Sequence, residues 1–373
     1  MKINIDLKEA FGFGGISNYK RNISVGISEL SDVELSGCYN WSRHASKDKY
    51  RWFKGRLNQS IIPDQFVYKY AEKKNWQFPF SYEFMMNSQA DLNLFLTYRI
   101  PRVTFKAPLI SAIHDIILLK SDVESKCAKE EHEAILRYTI SKSYQLLTVS
   151  ESAKSDIVDY FNINPDNVHI VHNGIDYHQF GEELSPERRL YISNKYNLPD
   201  KFILYFGGYR AHKNIERLIE AYSLLSPTIR KDLKLVITNR NQKLQKLAAD
   251  LKISEDVIFT AFIDESDKCA IYKSAFMVYY ASLYEGFGVP ILEAQMSKVP
   301  VITSNTSSLP EASGGFAELV NPYSVDEIYC AMMELISDSA KRNYLVQNGY
   351  NNALQYPWKR GAEELHDVLM KLK

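Results

Sequence analysis

Short runs of β-branched and aromatic residues, each followed by a stretch with helical spacing, recur almost from end to end of this 373-residue chain. In the first half the strand-like runs are KINIDL, VELSGCY, DLNLFLT, APLISAIHD, YQLLTVS and NVHIVH, with helical patterns over Glu130 to Ser143 and Glu151 to Phe161 among them. After a polar stretch, GEELSPERRLYISNKYNLPD, the rhythm restarts with KFILYFGG, DLKLVIT, DVIFTAF, AFMVYYAS and VPVIT, and helices are expected from Asn214, Gln242 and Pro290. Such alternation predicts an α/β chain built on parallel sheets with helices on both faces. It also limits where chemistry can sit, because open sheets of this kind bind ligands beyond the carboxyl ends of their strands.

The chain is too long for one comfortable core and suits two. The expected division is residues 1–185, then 195–355, with the amphipathic ending at 356–373 as a further helix. Residues 41–90 break the rhythm and read as an insertion. Between Arg43 and Lys74 this stretch carries nine basic residues against three acidic ones, with Trp41, Tyr50, Trp52, Phe53, Phe66, Tyr68, Tyr70 and Trp76 interleaved or flanking. Two readings of it stand: a solvated excursion with its aromatics in the core, or a surface resting on anionic lipid headgroups or an acceptor. The chain as a whole has 45 Lys and Arg against 45 Asp and Glu, and lacks the basic excess of a nucleic-acid binder. Cys38, Cys127, Cys269 and Cys330 are too scattered to suggest a zinc site or a disulfide framework. No run reaches the 18 or so apolar residues of a membrane span, so a cytoplasmic protein is expected.

Five strand-end segments are candidates for chemistry. In YEGFGVPILEA, Glu285, Gly286, Phe287, Gly288 and Val289 form a strand-to-helix loop, with Pro290 suited to the start of the helix and Glu293 expected in its first turn. The glycines allow close backbone approach, the helix N-terminus favours a phosphate, and each glutamate can accept from adjacent sugar hydroxyls. Either carboxylate alone is as readily explained by the helix dipole. In YFGGYRAHKN, Gly207 and Gly208 precede Arg210 and Lys213, cations that oppose a helix dipole and therefore call for an anion such as a diphosphate. The loop FGFGGISNY holds Gly14 and Gly15 but has Ser17 where a dinucleotide fingerprint needs its third glycine. His114, followed by Asp115, ends the strand LISAIHD. His172-Asn173-Gly174 reads first as a tight turn. No D-x-D triplet occurs, so a diphosphate here would be neutralised by protein cations rather than by a metal held on such a pair.

Taken in order, FGFGGISNY, the His-Asp pair at 114, VSESAKSDI, HNGID, GGYRAHKN, the E-x7-E spacing of Glu285 and Glu293, SLPEASGG, AELVNP and YPWKRGAEEL resemble the retaining glycosyltransferases of the GT-B fold, family 4. The resemblance covers nearly the whole chain outside residues 41–90. It implies two Rossmann-like domains facing a central cleft, with the last helix crossing back to the first domain. It also implies roles: Glu293 on the donor ribose, Glu285 on the donor sugar, and the backbone of Phe287 to Val289 on sugar or phosphate. Lys213 with Arg210 would hold the departing diphosphate, His114 would orient the sugar, and Gly14 and Gly15 would approach phosphates or acceptor. Where many members carry arginine after the first glycine of the second domain's strand end, this chain has Gly208.

The expectation is thus a retaining, metal-independent hexosyltransferase without a cofactor, which takes a nucleotide diphosphate sugar and a glycan or polyprenyl-linked glycan in bacterial surface polysaccharide assembly (O-antigen or capsule). Front-face displacement comes with the resemblance. Mannose from GDP-mannose is the expected donor, by likeness of GGYRAHKN and EGFGVP to mannosyltransferase loops. A UDP- or dTDP-sugar donor, a GT-B epimerase and a non-catalytic sugar-nucleotide binder are the alternatives. A peripheral position at the inner face of the plasma membrane, through residues 43–74, would go with the second reading of the insertion.

Overall fold

A computed structural model describes residues 1–8, 10, 14–38, 58–59, 80–86, 88–120 and 125–372. The basic, aromatic insertion therefore lies almost wholly outside the described residues, as do Phe11, Gly12 and Phe13 of the first glycine loop. The chain forms two compact units. One comprises Met1–Gly174 with Trp358–Lys373, the other Ile175–Pro357.

The first unit is built on a seven-stranded parallel sheet. Its strands are β1 (Lys2–Asp6), β2 (Glu34–Cys38), β3 (Asn58–Gln59), β4 (Leu92–Phe95), β5 (Leu109–Ala112), β6 (Gln145–Thr148) and β7 (Val168–Ile170), in the order β3-β2-β1-β4-β5-β6-β7. The second unit has six parallel strands: β8 (Phe202–Tyr205), β9 (Lys234–Ile237), β10 (Val257–Phe259), β11 (Met277–Tyr280), β12 (Val301–Ser304) and β13 (Glu318–Val320). Their order is β10-β9-β8-β11-β12-β13. Strands such as β4, β8 and β11 are buried along their whole length, which is why they read as continuous apolar runs rather than alternating ones. Fully burying each Ile, Leu or Val there contributes about 1.5–3 kcal/mol before conformational entropy is charged against it.

In each sheet the strand order reverses once, between β1 and β4 and between β8 and β11. Such switch points open a crevice beyond the strand ends, because the connections on either side depart in opposite directions.

The helix Trp358–Met370 belongs to the first unit, where it packs on Gly15–Ser28. Contact is close: a Cβ on Gly26 would collide with Cβ of Ala362. His172 closes this junction. Its Nδ1 lies 2.8 Å from Oε1 of Glu364, which also accepts from Nε of Arg360 at 2.8 Å. Gly174 follows, and any side chain there would collide with the backbone of Trp358.

Two segments differ from the sequence expectation. The polar stretch at 181–200 contains the helix Pro186–Tyr196, capped by Ser185. Its polar residues are used in packing: Lys195 and Arg188 both pair with the buried Asp267. The segment AELV supplies β13, whose three residues are too few for a strand signal. Among the described residues no helix is long and apolar enough to cross a membrane.

Candidate active site

At the switch point of the second unit, the loops after β8 and β11 come together. Nζ of Lys213 donates to Oε1 of Glu285 at 2.6 Å and to the hydroxyl of Tyr280 at 2.7 Å. The Tyr280 hydroxyl in turn donates to the same Oε1 at 3.0 Å. The Lys213 and Glu285 side chains are 18% and 13% exposed, so the pair is largely withdrawn from solvent. Burial alone would raise the Glu285 carboxyl, but the Lys213 ammonium outweighs it and holds the group below the usual glutamate range. The phenol of Tyr280 is pushed far up, by burial first and by Glu285 second, and stays protonated.

The loops are tied down by their neighbours. Asn214 takes a left-handed backbone (φ 59°) and sends its side-chain amide to the carbonyls of Ala281 at 3.1 Å and Pro322 at 2.7 Å. The N–H of Leu283 donates to the carbonyl of His212 at 2.7 Å. From the loop after β12, Ser307 Oγ accepts from the Glu285 N–H at 3.1 Å, and Ser308 Oγ donates to the carbonyls of Glu285 and Phe287 at 2.9 and 2.8 Å. Gly288 has φ 121°, and a Cβ there would meet Leu309 at 2.9 Å, so only glycine fits this turn.

Behind the loop the helix Val289–Met296 begins without a side-chain cap, with Pro290 in its first turn. Glu293 is the fifth residue of that helix, at the start of its second turn rather than in its first, and is 5% exposed. It forms an ion pair with Lys268 of the helix Glu265–Ser274. Burial pulls the Lys268 ammonium down, but Glu293 and Glu265 outweigh it and raise the group overall. Phe180 and Phe206 lie 5.9 and 5.6 Å from that ammonium, at cation–π range.

The structure thus gathers Gly207, Gly208, Lys213, Glu285, Gly286, Phe287, Gly288, Val289 and Glu293 at the β8 and β11 loops. Arg210, which precedes the short turn Ala211–Lys213, is exposed. His212, beside Lys213, is lowered to about 4, by burial first.

His114 lies in the first unit, just beyond β5. It is 8% exposed, packs edge-on against Tyr19 at 4.7 Å, and has Nε2 3.3 Å from the carbonyl of Leu96. Burial lowers its pKa to about 4, and Lys20 adds to the effect, so the imidazole is neutral at ordinary pH. Its sequence neighbour Asp115 turns to the backbone, accepting from the N–H of Ile117 at 3.0 Å. Gly14 has φ 113°, which favours glycine, whereas a side chain on Gly15 would meet open space.

Sequence reasoning did not single out Tyr280, Lys268, Asn214, Ser307 or Ser308. Of these, Asn214 closes the loop YFGGYRAHKN and Ser308 opens the segment SLPEASGG, but neither was given a role.

Two family models match the chain: Glycosyltransferase Family 4 over residues 82–179 and Glycosyl transferases group 1 over residues 190–352, together well over half of it. The chain is 30% identical over 223 residues to the serotype-specific mannosyltransferase WbdA of Escherichia coli, which covers 58% of this chain and 27% of that protein. It thus spans about a quarter of that relative's length. It is 29% identical over 273 residues to the O-antigen chain mannosyltransferase B of Escherichia coli, covering 72% of this chain and 70% of the other. Among solved structures, WaaG, a glycosyltransferase involved in lipopolysaccharide biosynthesis, matches with a TM-score of 0.72 at 15% identity, over 98% of this chain and 99% of its own. That last likeness concerns the fold.

Proposed function

We propose that this chain, which belongs to the family 4 glycosyltransferases of the GT-B fold, is a retaining hexosyltransferase that takes mannose from GDP-mannose and adds it to a glycan or lipid-linked glycan in bacterial surface polysaccharide assembly. The observation that carries the reading is the pairing of Lys213 with Glu285 at the switch point of the second unit, eight residues before Glu293. A nucleotide diphosphate sugar needs a cation for its departing diphosphate and carboxylates for its hydroxyls. Those groups converge there on loops held by backbone hydrogen bonds. The mannose donor and the polysaccharide context are supported by the named activities of the WbdA and mannosyltransferase B relatives.

In this proposal Lys213 stabilises the diphosphate as the bond from the anomeric carbon to its oxygen breaks. The acceptor hydroxyl attacks from the same face, and its proton passes to the departing phosphate oxygen. Glu285 accepts from hydroxyls of the donor sugar and Glu293 from those of the ribose. The first-turn N–H groups behind Gly288 approach the phosphates. His114 is retained on the resemblance alone, as a neutral hydrogen-bonding group. No metal is assigned a part. Peripheral contact with an anionic membrane through residues 43–74 belongs to the same proposal, with its support in sequence alone.

The test is turnover. Purified protein is given GDP-mannose, UDP-glucose or a dTDP-hexose with short mannosides or polyprenyl-linked glycans, in the presence of a chelator. Release of GDP with a new α-mannosidic linkage supports the reading. Interconversion of sugar nucleotides without nucleotide release would replace it with the epimerase alternative.

A further inference from the structure

Tyr280 closes a triangle with Lys213 and Glu285. It is the last residue of β11, 4% exposed, and paired across the sheet with Thr303, whose Oγ1 donates to its carbonyl at 2.8 Å. Its neighbour Tyr279 points to the opposite face, into the apolar core of the unit. The two tyrosines therefore have different tasks despite being adjacent in sequence.

The sides of the triangle are 2.6, 2.7 and 3.0 Å, so each of Lys213, Tyr280 and Glu285 bonds to both others. Both hydrogen bonds received by Glu285 within it converge on Oε1. One N–H of Lys213 and the second carboxylate oxygen of Glu285 are outside the triangle, with the buried Ser282 hydroxyl beside the carboxylate. A lysine and a carboxylate with no third group can rotate about each other and satisfy one another in several geometries. A protonated phenol that accepts from the ammonium and donates to the carboxylate removes that freedom. Other groups facing the triangle are Tyr205 from β8, His212 from the preceding turn, and Glu293 from the helix behind. None of these takes part in its three bonds.

We infer that Tyr280 is a positioning residue, whose hydroxyl holds the Lys213 ammonium and the Glu285 carboxylate in the one arrangement that presents the third N–H of Lys213 to the leaving diphosphate and the second oxygen of Glu285 to the donor sugar. The inference rests on the reading of Lys213 and Glu285 given above, and it adds the group that sets their geometry. Preorganisation of this kind acts on the transition state more than on ground-state binding of the nucleotide, which has other contacts.

The experiment compares wild type with Tyr280→Phe, which keeps the ring and removes only the oxygen. Two readouts are taken. In the free protein, the Lys213 side-chain ammonium is followed by 15N–1H correlation spectroscopy. Its cross-peak is expected in wild type, slowed in exchange by two hydrogen bonds, and is expected to broaden beyond detection in the variant. In turnover, kcat is expected to fall roughly tenfold or more while the Kd for nucleoside diphosphate stays within about threefold. An unchanged cross-peak and an unchanged kcat would each overturn the inference, as would a parallel loss of kcat, nucleotide affinity and melting temperature. Should Tyr280→Phe fail to fold, 3-fluorotyrosine at position 280 keeps the shape and strengthens the donor; wild-type kcat with it would overturn the inference. If no nucleotide sugar turns over with wild type, the functional reading fails, and the cross-peak still decides whether the triangle exists.

Discussion

Nζ of Lys213 and Oε1 of Glu285 stand 2.6 Å apart at the point where the strand order of the second sheet reverses. A cation and a carboxylate held this close and this dry are coupled, and neither can be removed without leaving the other short of a partner. Lys213→Met is therefore expected to lower kcat by roughly 10²–10³-fold, the range for loss of one charge-stabilising donor. A variant that turns over like wild type would remove Lys213 from the mechanism. The double variant Lys213→Met/Glu285→Gln should be less destabilised than the sum of the singles, read from urea midpoints; strict additivity would show that the pair is uncoupled.

How much of this was legible beforehand follows from what each residue contributes to a pattern. Strands such as FILY and MVYY are visible because both of their faces are buried, and the helix Glu151–Phe161 because its cap and period agree. Glu285, Lys213 and Glu293 stood out as charges at strand ends. Tyr280 did not, because a tyrosine inside an apolar run reads as core. Lys268 did not, because ESDKC looks like the solvated face of a helix until its partner 25 residues away is known. The helix Pro186–Tyr196 was hidden by polar residues whose ion pairs are tertiary.

Lys268 balances the charge of Glu293 in a position that is 5% exposed. Lys268→Leu should leave that carboxylate without its cation and weaken nucleoside diphosphate binding by roughly tenfold. Titration calorimetry with GDP checks this. An unchanged Kd would mean that Glu293 takes no part in holding the nucleotide.

His114 gives a pH dependence with a definite sign. Its pKa is about 4 in the folded protein, from burial first, against about 6.5 in an unfolded chain. The unfolded state therefore binds more protons between those values, and stability present above pH 6.5 is lost as pH falls toward 4. His114→Gln should flatten the fall of the urea midpoint in this window relative to wild type. Identical slopes would contradict a buried, neutral imidazole.

Gly288 tests the loop itself. With φ 121° and Leu309 2.9 Å from any Cβ, Gly288→Ala should cost about 1–3 kcal/mol and lower Tm. Wild-type Tm in this variant would show that the turn is not built as described.

The most direct test of the donor site is thermal stability in the presence of GDP, UDP, dTDP and their sugar conjugates without added metal, for wild type and for Glu293→Gln. Ligand at about 100 times its Kd that binds only the folded protein stabilises it by about 2.7 kcal/mol. A clear rise in Tm with GDP and GDP-mannose for wild type, much reduced in Glu293→Gln, is the predicted result. No rise with any of the nucleotides, or an equal rise in both proteins, would contradict the assignment of this site.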